Sequence, residues 1–142
     1  MNDFPVIFSY SRKETVADGI QVLVDADTRK EVGIRFPVYL TSEVWDRYVE
    51  FPDDLEGFQD TYGRLWDILA MFVVEAKSKP PANTIFFYFM CLFPDGYDLQ
   101  ENEKTTGQGE IMPVKVTLKA MIGPNDIDDP SPAITIMLPN QD

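Results

Sequence analysis

The chain has 142 residues, 44% hydrophobic and 13% aromatic, which suits one domain (1–142) with a real core and argues against compositional disorder. It carries 24 acidic and 12 basic residues and no histidine, for a net charge of −12, so imidazole triads and histidine metal sites are excluded. The longest apolar run, Ile85 to Phe93, is too short for a membrane span, which needs roughly 18 residues.

Taken in order, the first residues, MNDFPVIFSYSRK, lack the basic lead of a signal peptide, and Val6 to Tyr10 reads as a short strand. Ser11 and Glu14 match a capping box for a short helix that stops at Gly19. Ile20 to Val24 is a strand candidate, and Asp25 or Asp27 opens a second short helix ending at Gly33. Phe36 to Leu40 is extended. Thr41 or Ser42 then caps a helix from Glu43 to Glu50, with Val44, Trp45, Tyr48 and Val49 as its inner face.

The stretch from Asp60 to Ser78 is the organising element. Tyr62, Leu65, Trp66, Leu69, Phe72, Val73 and Ala76 recur at helical spacing, with Arg64, Asp67 and Glu75 opposite, and Pro80-Pro81 ends the helix. The following run, TIFFYFMCLF, shows no polar alternation and predicts a strand covered on both faces near the sheet centre. Tyr97 to Gly109 is polar and reads as a loop. Val114 to Ile122 and Ala133 to Leu138 alternate cleanly as strands, and the connection GPNDIDDPSP predicts a projecting loop rather than a tight hairpin. The fold class is α+β: short N-terminal β/α units, one long core helix over about 60–78, and a mixed sheet ending in a three-stranded antiparallel meander.

The acidic excess is localised. Segment 43–67 has eight acids against two bases, 95–110 five against one, and 124–142 four against none. Such segregation suits a negative face for a protein partner with a basic surface, and the candidate residues are Asp53, Asp54, Glu56, Asp126, Asp128 and Asp129. No stretch clusters Lys, Arg and aromatics, which argues against direct nucleic-acid binding. The Asp126, Asp128 and Asp129 spacing departs from an EF-hand, so no metal or cofactor is expected. Cys91 sits between Met90 and Leu92, as a packed thiol in a reducing cytoplasm would. Tyr10, Ser11 and Arg12 at a strand end, with Arg35 and Arg64, form an alternative anion pocket for a nucleotide or ADP-ribose-like ligand.

Four stretches carry a resemblance. They are Tyr10-Ser11-Arg12 with Asp18-Gly19 and the following VLVD, then Arg35-Phe36-Pro37-Val38 with Leu40-Thr41 and Trp45, then Gly63-Arg64-Leu65-Trp66-Asp67. The last is Thr117-Leu118-Lys119-Ala120 through Gly123-Pro124 to Ile134-Thr135-Ile136-Met137-Leu138-Pro139. In this order they resemble a family of small proteins of unknown function carried on bacterial plasmids, phages and integrative elements. The loop at Gly123-Pro124 is more acidic and richer in proline than that pattern. The resemblance implies a cytoplasmic accessory protein and supplies no cofactor or catalytic residue. The expected function is therefore non-enzymatic: binding of a host or phage protein, such as a nucleic-acid-handling or defence protein inhibited by charge mimicry. Self-association through a sheet edge is the further expectation.

Overall fold

A computed structural model describes residues 11–50, 60–94, 96–105 and 111–142, with residues 111 and 112 described by backbone alone. Six strands form one mixed sheet in the order β1-β2-β6-β5-β3, with β4 beside β5. The strands are β1 (Gln21–Leu23), β2 (Val38–Thr41), β3 (Thr84–Pro94), β4 (Glu103–Thr105), β5 (Ile111–Asp126) and β6 (Asp129–Met137). The long strand β5 is the spine. On one side it pairs antiparallel with β3 along the whole of that strand; on the other, β4 and β6 lie end to end. The single parallel contact joins β2 to β6, which is what makes the sheet mixed.

Helices sit on both faces. The inner face takes the long helix α4 (Thr61–Ser78), whose Leu65, Ile68, Leu69 and Phe72 are buried, with Phe72 edge-on to Phe87 at 5.8 Å. Asp60 accepts the Gly63 N–H at its start, and Pro80 and Pro81 follow its end. The buried stripe is rotated from the expected one. Ile68 joins it and Arg64 is buried at 3% exposure, whereas Tyr62 and Trp66 lie on an exposed flank, where the Tyr62 hydroxyl donates to Glu31.

Beside α4, the short helix α3 (Ser42–Val44) opens into a π-helical turn, Trp45–Val49, closed by the Glu50 N–H donating to the Trp45 carbonyl. The wider turn brings both Tyr48 and Val49 beneath Val44, and all three are fully buried. Helix α2 (Ala26–Glu31), capped by Asp25 as expected, also lies on the inner side, against α4. Helix α1 (Arg12–Ala17) carries the full Ser11/Glu14 capping box and lies on the outer face, where the Arg12 guanidinium stacks over the Tyr39 ring at 4.1 Å. Among the described residues no helix is long and apolar enough to cross a membrane.

Two further expectations are corrected. Strand β3 is not central: it is the sheet's edge, with Ile85, Phe87, Phe89 and Cys91 buried and the intervening residues exposed. Its outward positions are occupied by Phe86, Tyr88 and Met90, so the apolar run conceals a period-2 strand with only one covered face. The β5–β6 connection is a tight turn. Asp126 pairs with Asp129 across Ile127 and Asp128, because the strands absorb the prolines at 124, 130 and 132 through a register shift between Pro124 and Asp126.

Candidate functional site

The most heavily constructed polar assembly joins the π-helical turn to β4. The Glu103 carboxylate, fully enclosed, accepts Arg47 Nε at 2.6 Å, Arg47 Nη2 at 2.7 Å and the Gln100 N–H at 2.8 Å. The Tyr48 hydroxyl donates to the same carboxylate, and Asn102 Nδ2 donates to Tyr48 Oη and to the Thr117 carbonyl, both at 3.0 Å. Burial alone raises a carboxyl's pKa, but the Arg47 and Tyr48 hydrogen bonds outweigh it and hold Glu103 below the usual range. The Arg47 side chain is pushed up, chiefly by its hydrogen bond to Glu103, and Tyr48 is pushed up by burial and then by Glu103. Each of these groups is therefore locked in its ordinary charge state. That is the chemistry of a brace rather than of proton transfer.

The brace supports a cleft. Strand β4 stops pairing with β5 at Val116 and β6 begins at Lys119, and the gap between them opens on the outer face as a cleft of about 770 Å³. Gln100, Asn102 and Lys104 form one wall, Thr117 the floor, and Leu138 to Asn140 the other wall. A smaller cavity of about 300 Å³, reached past Gln100 and Leu138, is lined by Glu43, Asp46, Arg47 and Tyr97. Beyond Thr117 the outer face continues across Lys115 and Tyr88 to the β3 edge. Phe86, Tyr88 and Met90 are 49%, 43% and 42% exposed there, and the Lys115 ammonium lies 4.2 Å from the Tyr88 ring centre.

The sequence candidates that lie among the described residues fall elsewhere. Ser11 is consumed as the α1 cap. Arg12 donates to the Asn125 carbonyl at 2.9 Å, to Gln21 at 3.0 Å and to Thr135 Oγ1 at 2.6 Å, all on the outer face. Arg64 lies on α4, across the sheet, where burial lowers its pKa against the opposing effects of Cys91 and Asp60. Arg35 is exposed in the segment before β2. The three arginines thus make no common pocket, because they sit on opposite faces of the sheet and on a loop. Tyr10 lies outside the described residues, as do Asp53, Asp54 and Glu56.

The hairpin acids mostly have structural tasks. Asp126 accepts the backbone N–H groups of Arg12, Lys13 and Ile127 at 2.9, 3.0 and 2.7 Å, and so caps α1 from across the fold. Although burial works the other way, these bonds hold its pKa low. Asp129 is held low by Ser131 and by Asn125 Nδ2. Asp128 is exposed at the turn. Burial pushes the Cys91 thiol up to about 12, which keeps it protonated. Among the described residues no three acids or cysteines gather as metal ligands.

Sequence reasoning missed both the brace and the lysine–aromatic face. Arg47 and Glu103 are separated by 56 residues, and Glu103 lies in a stretch that reads as a polar loop. No curated protein and no solved structure matches the chain. One family model does, over residues 1–142, and the chain belongs to that family of unknown function, DUF6573.

Proposed function

We propose that this protein is a non-enzymatic accessory protein that acts by protein–protein contact, its first contact being with a second copy of itself along β3. The observation that carries this reading is the edge from Thr84 to Cys91. It is extended in unbroken register, bears no charge in a chain of net −12, and has Phe86, Tyr88 and Met90 half exposed. Among the described residues no strand pairs along its outer side. Natural edges are blunted by lysines, bulges or prolines, and this stretch has none of them. It is also the one long stretch of the sheet where two acidic copies approach without opposing carboxylates. An antiparallel pairing about its middle sets uncharged residues against uncharged residues at every position.

Eight paired residues span about 26 Å, which with the exposed rings gives an interface below about 1,200 Å² and hence a weak, concentration-dependent dimer. The locked charge states of Glu103, Arg47, Tyr48 and Cys91 support the non-enzymatic part of the reading. Its setting as a cytoplasmic protein of a plasmid, phage or integrative element rests on the sequence resemblance. A second reading, a basic protein partner, is favoured by segment 43–67 with its eight acids and two bases; the hairpin acids Asp126 and Asp129 add little to it because their oxygens are engaged.

Sedimentation over a wide range of protein concentration tests the proposal. The parent chain is expected to pass from monomer to dimer, and Tyr88→Lys, which places a charge at the centre of the edge, to stay monomeric with unchanged circular dichroism. A parent chain that is monomeric throughout contradicts it.

A further inference from the structure

We infer that the 770 Å³ cleft beside β4 is a binding site for a small organic oxyanion, of the size and chemistry of a nucleoside monophosphate. The outer face carries Lys104, Lys115 and Lys119. Lys119 is compensated: its ammonium donates to the Gln141 carbonyl and lies 4.0 Å from the Asp142 carboxylate. Lys104 and Lys115 are not. They are register partners on β4 and β5, project from the same face, and neither has an ion pair among the described residues. Like charges set directly opposite on a sheet cost stability, and a chain with twice as many acids as bases has ample means to neutralise them. Lys104 lines the cleft with no ion pair among the described residues, and Lys115 lies beside it over the Tyr88 ring, so this side of the cleft carries the positive charge that an anionic ligand requires.

The lining fits the same chemistry. The side-chain amides of Gln100 and Asn140 line the cleft and make no hydrogen bond among the described residues, so they supply donors and acceptors in addition to Lys104. Glu101, also on the wall, offers a carboxylate to ligand hydroxyls rather than to an oxyanion. Asn102 is fixed by its bonds to Tyr48 and Thr117, and the wall is held from behind by the Arg47–Glu103 pair, so the backbone that carries Gln100 and Lys104 is in place before a ligand arrives. The cleft lies on the opposite side of β5 from the β3 edge, so ligand binding and copy-to-copy pairing are separable.

The test is an amide NMR titration of the full chain with AMP and, separately, with inorganic pyrophosphate. Saturable shifts are expected at residues 100–104, 117 and 138–140, weakening as salt is raised. Lys104→Gln is expected to weaken AMP by about tenfold or more, the worth of one charge-assisted hydrogen bond, and Lys115→Gln to weaken it less. Tyr88→Lys separates this site from the pairing edge: shifts at 138–140 that persist while the dimer is lost assign them to the cleft. No shift with either anion overturns the proposal, and so do shifts centred away from the cleft or an unchanged affinity in Lys104→Gln.

Discussion

Glu103 and Asp126 are both carboxylates that tie the sheet to a distant segment, one to Arg47 from inside the fold and the other to Arg12 and Lys13 from the rim of a hairpin. Glu103 receives two guanidinium bonds and a phenol bond with its side chain fully enclosed, whereas Asp126 receives backbone N–H groups at the helix terminus in contact with solvent. The contrast shows how differently one residue type is used. The enclosed acid is an internal brace whose removal takes the acceptor from the buried Tyr48 hydroxyl and the carboxylate from the partly buried Arg47. The rim acid is a cap whose loss water can largely make good.

The largest expected effect of breaking that comparison comes from Glu103→Ala. It takes the carboxylate from Arg47 and from the Tyr48 hydroxyl, at a cost of about 3 kcal/mol in urea unfolding; the figure sits at the low end for buried pairs because Arg47 keeps its bond to the Asp98 carbonyl and some access to water. Next is Asn102→Ala, which removes the hydrogen bonds to the Tyr48 hydroxyl and to the Thr117 carbonyl on β5, at a cost of about 1–2 kcal/mol by the same measurement. Asp126→Ala is expected to be smaller and local: the Arg12 and Lys13 amides exchange faster while the midpoint of global unfolding moves less than in either other variant.

Acid sharpens the same contrast. Glu103 has a depressed folded pKa, so its stabilisation is complete above the unfolded carboxyl's value of about 4.3 and is lost as pH falls through the lower folded value. Glu103→Gln is therefore expected to flatten the acid limb of the stability profile. Asp126 is shifted in the same direction, so Asp126→Asn flattens it less. Parallel limbs in the parent and Glu103→Gln would contradict the brace.

Much of the fold was legible in the sequence wherever local chemistry decides. The capping box at Ser11 and Glu14, the Asp60 cap, the proline stop after Ser78 and the alternation of Val114 to Ile122 each describe the element that forms. The position of β3 was not legible, because Phe86, Tyr88 and Met90 make an exposed face look like a covered one. The hairpin was hidden by its prolines, which fit strand ends around a register shift. The cleft was beyond reach for a different reason. Its wall, floor and lysines come from residues 100–104, 115–117 and 138–140, and only the pairing of β4 with β5 brings them together. Of the residues singled out for chemistry, Ser11, Arg12, Asp126 and Asp129 were informative as structural acceptors and donors rather than as a ligand site.

The most direct measurement of the central claim, that the β3 edge is a pairing surface between copies, is amide hydrogen exchange along Thr84 to Cys91 at low and high protein concentration. Amides directed away from β5 are expected to exchange quickly in dilute solution and to become protected as concentration rises, while those bonded to β5 are protected throughout. Equal protection of both sets at every concentration would contradict it, since the edge would then be covered within a single chain.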